Sequence, residues 1–274
     1  MSQPILSRRK LIVGSGALTL LAAVDAFALE PNWLRVTEHS IPVRGLPRTL
    51  DGYQVAQITD AHLRHIGPVE EHIIREIRNR EVPLVVLTGD MIDDSSRLHI
   101  LEEFCSHFRG DQRTVLAALG NWEHWARIPT DRLRSVYQAS NVNLLINESI
   151  VADSAIRVVV TDDATGGTVR INEAIRDNAA RAASLFLTHS PELLDRLPKM
   201  IGRFDLVLAG HTHGGQGRLG PFAPMRPPGS GRFISGWYEV PIGRAYVSCG
   251  TGTSVVPARF ACRPELPIFT LRQG

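Results

Sequence analysis

The sequence predicts an α/β fold in which two packed sheets are flanked by helices. Short apolar runs rich in Val, Leu and Ile alternate with segments of helical periodicity through the first half of the chain. The middle then changes to closely spaced strand candidates separated by turn residues, which calls for an antiparallel or mixed portion. With 274 residues and 43% hydrophobic content, the chain can bury a substantial core, most simply as one large domain.

The elements follow in order. Residues 53–59 and 84–88 read as buried strands, and between them Val69, Ile73, Ile74 and Ile77 recur at helical spacing. Pro68 with Glu70 and Glu71 marks the start of that helix. Leu98, Leu101, Phe104 and Phe108 recur in the same way, behind Ser95 and Ser96 as candidate caps, before a third strand at 114–119. A further helix is expected over 130–140, and residues 142–146, 149–151 and 155–161 are the short strands of the middle section. Buried strands resume at 184–188 and 205–209, and 244–248 and 267–271 are candidate closing strands. Residues 214–236 are crowded with Gly and Pro and read as a long surface loop, a candidate substrate lid.

Ahead of these elements, Arg8-Arg9-Lys10 precedes an apolar stretch over residues 11–24 and the small-residue stretch Ala26-Phe27-Ala28, the layout of an export signal of the twin-arginine type. That stretch is 14 residues long before Asp25 interrupts it, against the roughly 20 that span a bilayer. Residues 1–28 are therefore assigned to a signal peptide cut after Ala28, and residues 29–274 to a single domain, with the twin-arginine machinery as a partner and the periplasm or outer membrane face as the location. Removing Arg8, Arg9, Lys10 and Asp25 leaves basic and acidic residues equal in number, so charge alone would not hold the mature protein to an anionic membrane. Near-neutral charge and the lack of a long basic run argue against a nucleic-acid partner. Cys105, Cys249 and Cys262 match no zinc-finger or thioredoxin spacing and are expected as buried free thiols, with a Cys249–Cys262 disulfide the alternative in an oxidising compartment.

Five apolar runs each end in metal-binding side chains: Asp60-Ala61-His62, Gly89-Asp90, Gly120-Asn121, Thr188-His189 and Gly210-His211-Thr212-His213. Open α/β sheets gather ligands at the carboxyl ends of their strands. A lone His62 or Asp90 more often caps a helix or steadies a loop, but seven ligand-type residues in this arrangement describe one site. Asp60, His62, Asp90, Asn121, His189, His211 and His213 mix hard oxygens with imidazoles, a set suited to Mn, Fe, Zn or Co and unsuited to calcium. Two such cations need a bridging anion and open positions for water and substrate oxygens.

These blocks resemble the calcineurin-like metallophosphoesterases, whose pattern runs D-x-H, G-D, G-N-H-E or G-N-H-D, a later His, and G-H-x-H. Leu50-Asp51-Gly52-Tyr53, Leu187-Thr188-His189-Ser190-Pro191 and residues 210–216 further resemble the bacterial exported or membrane-associated branch, and the similarity runs from about residue 35 to 272. The resemblance implies a four-layer α/β/β/α sandwich of two mixed sheets. It implies Asp60, His62 and His213 on one divalent metal, Asn121, His189 and His211 on the other, and Asp90 bridging both. A metal-bridging hydroxide would then attack a phosphodiester or pyrophosphate bond. The substrate would be a phosphoester, lipid-linked or nucleotide-containing, with peripheral membrane contact. A hydrolase of UDP-2,3-diacylglucosamine is the alternative from the same branch.

The departure is Trp122, where the family usually has histidine. Indole carries one N–H donor and no useful acidity, so Trp122 is a candidate phosphate contact but not a proton donor. His124 is the candidate replacement acid, since side chains two apart share a face in an extended segment, though not in a helix. A reading from another class, also prompted by Trp122, is a metal-binding recognition protein without catalysis. Asp162 and Asp163 read as a turn. Arg64, Arg218, Arg226 and Arg232 read as solvated arginines or as phosphate clamps, and Trp237 and Tyr238 as packing residues or stacking platforms.

Overall fold

The computed structural model describes residues 19–109, 113–176, 181–197, 201–220 and 222–274. The twin-arginine pair Arg8-Arg9 lies outside the described residues. Among the described residues twelve strands run in chain order: β1 (Arg35–Val43), β2 (Gln54–Ile58), β3 (Leu84–Thr88), β4 (Thr114–Ala118), β5 (Asn143–Leu144), β6 (Glu148–Ala152), β7 (Ile156–Val160), β8 (Ala183–Leu187), β9 (Phe204–Ala209), β10 (Gly236–Val240), β11 (Gly243–Val247) and β12 (Glu265–Gln273). One sheet has the order β1-β12-β2-β3-β4-β5 and the other β10-β11-β9-β8-β7-β6. The strands β2 to β5 are parallel, as are β7, β8, β9 and β11, while β12 is antiparallel to β2 and β6 and β10 are antiparallel edges.

Side-chain alternation sorts each central strand between two cores. Leu84, Val86 and Leu116 of the first sheet meet Val158, Leu185, Leu206 and Leu208 of the second. Val85, Leu87 and Val115 point the other way, against Ile73 and Ile77 of α1 (Pro68–Asn79), Leu101 and Phe104 of α2 (Leu98–Ser106) and, beyond the five-residue α3 (Asn121–Trp125), Leu133 and Tyr137 of α4 (Thr130–Ala139). On the far side, Val159, Phe186 and Val207 are covered by Ala174 of α5 (Ile171–Ala174), Leu193 and Leu194 of α6 (Leu193–Arg196), and Phe233. The architecture is the expected four-layer sandwich. Among the described residues its fourth layer consists of two single-turn helices and a loop.

The strands that the apolar pattern missed are β1 and β10. Both are edge strands that alternate or stay half-exposed, so neither carries a continuous apolar run. The strand expected at 142–146 shrinks to the two residues of β5. All three cysteines are buried and free. The chain enters through helical turns at Asp25–Leu29 and Glu30–Asn32. The Ala26 carbonyl accepts the Arg259 N–H at 2.9 Å, and the Glu30 carboxylate accepts the N–H groups of Ala261 and Cys262. Among the described residues no helix is long and apolar enough to cross a membrane.

Candidate metal centre

The carboxyl ends of β2, β3 and β4 in one sheet and of β8 and β9 in the other open toward the same seam, where their loops are stitched together. Asp60 N–H donates to Gly89 O at 3.0 Å, His62 N–H to Asp90 O at 3.0 Å, and Gly210 N–H to His189 O at 3.1 Å. The buried Gln57 amide spans the two sheets, donating to Thr88 Oγ1 at 2.9 Å and to Ala209 O at 3.0 Å. Approach this close explains the glycine that precedes several ligands. A Cβ at Gly120 would overlap the Asp90 carboxylate, and one at Gly210 would overlap Thr59 Oγ1 and Asp60. The ligand residues themselves bear strain, since Asp60, His62, Asp90, His211 and His213 have φ of 54°, 44°, 54°, 71° and 48°. Left-handed backbone costs a non-glycine residue about 1 kcal/mol or more and clusters where function requires it.

All seven sequence-assigned ligands converge. Asp60, His62 and His213 form one buried donor group, and Asp90, His189 and His211 a second. In the first, His62 Nε2 and His213 Nε2 are 3.2 Å apart and His213 Nε2 lies 3.3 Å from Asp60 Oδ1. In the second, His189 Nε2 is 3.1 Å from Asp90 Oδ2, 3.2 Å from His211 Nδ1 and 3.1 Å from Asn121 Oδ1. Asp90 Oδ2 is also 3.8 Å from His62 Nε2, which places one carboxylate between both groups.

The tautomers of the second group fit a cation. His189 Nδ1 lies 2.8 Å from Thr88 O and His211 Nε2 2.6 Å from Pro228 O. Carbonyl oxygens only accept, so those nitrogens carry the ring protons. In neutral rings His189 Nε2 and His211 Nδ1 then present lone pairs to each other at 3.2 Å, an arrangement that needs positive charge between them. Without metal, a proton takes that place. Burial would lower His189, but Asp90, Asp60 and Asp163 outweigh it and raise its pKa well above the ordinary imidazole value. Burial, aided by the His189 charge at His211 and the His62 charge at His213, lowers the other two. Two anion-linked groups of oxygen and imidazole donors fit a dinuclear centre.

The donors open into a cavity of about 390 Å³ lined by Asp90, Asn121, Trp122, Trp125, Arg226 and residues of the 225–228 and 254–256 segments. The loop over 214–236 thus supplies one wall, through Gln216, Met225 and Arg226. Of the four arginines singled out, Arg226 lines this cavity, whereas Arg64 lines a neighbouring one beside Phe27. Arg232 is committed to the Asp195 carboxylate, with its Nε 2.9 Å from Oδ2, and Arg218 to Gly214 O at 2.8 Å. Trp237 packs edge-on against Tyr246, and the Tyr238 hydroxyl accepts the Ile234 N–H, so both serve packing.

Trp122 stands at the cavity with its ring edge-on to His62, 5.9 Å between centroids, and its backbone N–H donates to Asp90 Oδ1 at 2.8 Å. His124 is not brought to the donors. Residues Asn121–Trp125 are helical, so positions two apart diverge, and His124 Nε2 sits 2.7 Å from Asp162 Oδ1 in a separate cavity. Asp163 closes the turn read from the sequence, accepting the N–H groups of Thr165 and Gly166 at 2.8 and 2.6 Å. The hydrogen bond to Asp162 raises His124 above the ordinary imidazole pKa. That contribution to stability is complete below the unfolded value of about 6.5 and is lost as pH rises through the raised folded value. His124→Asn is therefore expected to lower the melting temperature near pH 5.5 and hardly at all near pH 9. Diester hydrolysis should stay within about threefold, whereas loss of a general acid removes about 10² or more. Kinetics on a poor leaving group check this, and a hundredfold fall would return His124 to the reaction.

Glu123 was not singled out by the ligand pattern. Fully buried, its two oxygens accept backbone N–H groups from Asp90 at 3.1 Å, Met91 at 2.7 Å, Ile92 at 3.3 Å and Gly120 at 2.9 Å. The signal was present as Gly-x-x-Glu, the spacing by which an N3 carboxylate reaches back to a helix N-cap. Asp93, 3.7 Å from His62 Nδ1, is a second residue the pattern did not indicate.

Comparison with known proteins agrees with this geometry. A family model described as Calcineurin-like phosphoesterase matches residues 53–215. The metallophosphoesterase YkuE of Bacillus subtilis (strain 168) is 30% identical over 97% of this chain and 98% of its own length. Phosphodiesterase YaeI of Escherichia coli (strain K12) is 25% identical over 97% of this chain and its entire length, and a metallophosphoesterase of Aquifex aeolicus (strain VF5) 25% over 89% and 94%.

Proposed function

The chain belongs to the calcineurin-like phosphoesterase family and is a metal-dependent phosphoesterase, and from that premise we propose that it hydrolyses a phosphodiester or pyrophosphate bond at a pair of divalent cations, Mn, Fe or Zn, outside the cytoplasm. The observation that carries this reading is the pair of donor groups with Asp90 between them at the floor of one cavity. Bound cations there would supply Lewis acidity for phosphoryl oxygens and water acidified to near neutral pH.

The remaining chemistry belongs to the chain. Asp60, His62 and His213 would hold one cation, Asn121, His189 and His211 the other, and Asp90 would touch both. The Thr88 and Pro228 carbonyls keep His189 and His211 in the tautomers that aim lone pairs inward. Arg226 at the wall is placed to meet a phosphate oxygen, and Trp122, Trp125, Met225 and Val256 give the cavity apolar sides. With indole where an imidazole acid would stand, the leaving group departs without a strong proton donor, which favours acidic leaving groups. The relative named a phosphodiesterase supports a diester over a monoester.

With Mn added, the protein is expected to turn over bis(p-nitrophenyl) phosphate well and p-nitrophenyl phosphate poorly. Across a diester series its rate should fall steeply as the leaving group becomes less acidic. Bound metal without turnover of any diester would overturn the hydrolytic reading in favour of metal-dependent recognition. The export reading rests on Arg8-Arg9-Lys10 and the apolar stretch behind them. Changing Arg8 and Arg9 to Lys together should leave the protein in the cytoplasm, and normal export of that variant would remove the twin-arginine assignment.

A further inference from the structure

We propose that the face surrounding the metal cavity docks onto an anionic lipid surface and presents the cavity to phosphodiesters carried there. The docking stands on surface chemistry alone. The substrate class it names, a phosphodiester borne by a lipid, rests on the hydrolytic reading above.

The first observation is where the exposed apolar side chains fall. Thirteen large hydrophobic residues are exposed among the described residues, and every one lies in one of four places: six in residues 20–33, of which Leu29 and Trp33 lie beyond the expected cut after Ala28, Trp125, three in 219–225 and three in 255–260. Scattered single exposures are ordinary, whereas this concentration marks an interaction surface. Val255 is 80% exposed, Leu219 69% and Phe222 62%, so these side chains stand clear of the protein. They are carried on Gly- and Pro-rich loops, which suits insertion between head groups better than packing in a flat interface.

The places form one surface around the cavity. Trp125, Met225, Val255 and Val256 line its mouth. Phe260 N–H donates to Gln216 O at 2.8 Å, Arg218 N–H to Phe260 O at 2.9 Å, and the Gln216 amide to Val256 O at 3.1 Å, which fastens the 216–225 loop to the 255–260 loop. The N–H groups of Ala261 and Cys262, donated to the Glu30 carboxylate, bring the N-terminal segment to the same place.

Charge points to an anionic partner. Residues 214–235 and 249–264 contain five arginines and no Asp or Glu. Arg259 is buried and Arg232 is paired with Asp195, but Arg226 is exposed and Arg218 and Arg263 partly so. The Glu30 carboxylate beside this surface is buried against the N–H groups of Ala261 and Cys262. Arg218, Arg226 and Arg263 bond carbonyl or hydroxyl oxygens and meet no carboxylate among the described residues; apolar projections mixed with such arginines are the composition of an interfacial lipid-binding surface.

The test is flotation of the full-length, Mn-loaded protein with vesicles of phosphatidylcholine alone or with one-fifth phosphatidylglycerol. Binding is expected to be about tenfold tighter to the anionic vesicles. The double variant Leu219→Ser/Phe222→Ser, neither residue lining the cavity, should bind them about tenfold more weakly than wild type while hydrolysing soluble bis(p-nitrophenyl) phosphate within about twofold of it. No binding by wild type, or equal binding by the variant, overturns the proposal. So does a wild-type dimer at micromolar concentration that the variant abolishes and that ignores vesicles, which would assign the face to a second copy. If wild type binds vesicles but hydrolyses no diester, the docking holds and the hydrolytic reading falls.

Discussion

Asp90→Asn is expected to leave a folded protein that retains about half its metal and about a thousandth of its activity. The reason lies in which atom the substitution replaces. Asp90 Oδ1 accepts the Trp122 backbone N–H at 2.8 Å, while Oδ2 faces His189 Nε2 at 3.1 Å and His62 Nε2 at 3.8 Å. An asparagine must keep its oxygen toward Trp122 N–H, or else set two N–H groups against each other. Its amide nitrogen then occupies the position between the donor groups, with no lone pair to offer. The carboxylate oxygen that faces both groups is lost, and cations held there would repel each other with one negative charge fewer between them. Metal analysis should show close to one equivalent against two for a dinuclear wild type, and the metal-free variant should also melt lower, because its amide nitrogen faces the protonated His189 Nε2 that Asp90 pairs with. Two retained equivalents with activity within tenfold would mean that Asp90 is not the shared ligand.

The ligands were legible because each follows a strand buried on both faces. Residues 84–87 are apolar throughout because Leu84 and Val86 meet the second sheet while Val85 and Leu87 meet helices, and such a run stands out in any sequence. β1 faces solvent along much of its length and reads Arg-Val-Thr-Glu-His-Ser-Ile-Pro-Val, which carries too little periodic signal to stand out. The convergence of five strand ends followed from topology. That Asp90 is shared by both groups did not follow from spacing and came only with the family resemblance. The fate of His124 turned on α3, five residues long and too short to show periodicity. An extended segment would have turned His124 beside Trp122, and one helical turn sends it to Asp162 instead. Exposure at Leu219 and Val255 was beyond sequence reasoning, since an apolar residue in a loop is as readily tucked inward as turned out.

Glu123→Ala is expected to destabilise the fold itself, by about 3 to 5 kcal/mol, because it removes the acceptor of four buried backbone donors. Burial, with the Asp90 charge behind it, raises the Glu123 pKa, and the N–H groups of Gly120 and Ile92 oppose the rise. The carboxylate is thus held at a cost in exchange for fixing the backbone of Asp90, Met91 and Ile92. Asp90 has a left-handed backbone at φ 54° and would relax once those bonds are gone, carrying its carboxylate away from the donor groups. Glutamine is no remedy, because Oε1 and Oε2 each accept two N–H groups and an amide nitrogen in either place would face donors. Both variants should therefore melt about 6 to 20 °C below wild type, given about 2 to 4 °C per kcal/mol for a chain of this size. The comparison has to be made on the metal-free proteins, since weaker metal binding alone would lower the apparent stability of the loaded form. Equal melting temperatures without metal, with a difference appearing only when metal is added, would reduce Glu123 to a ligand-positioning group and remove its structural role.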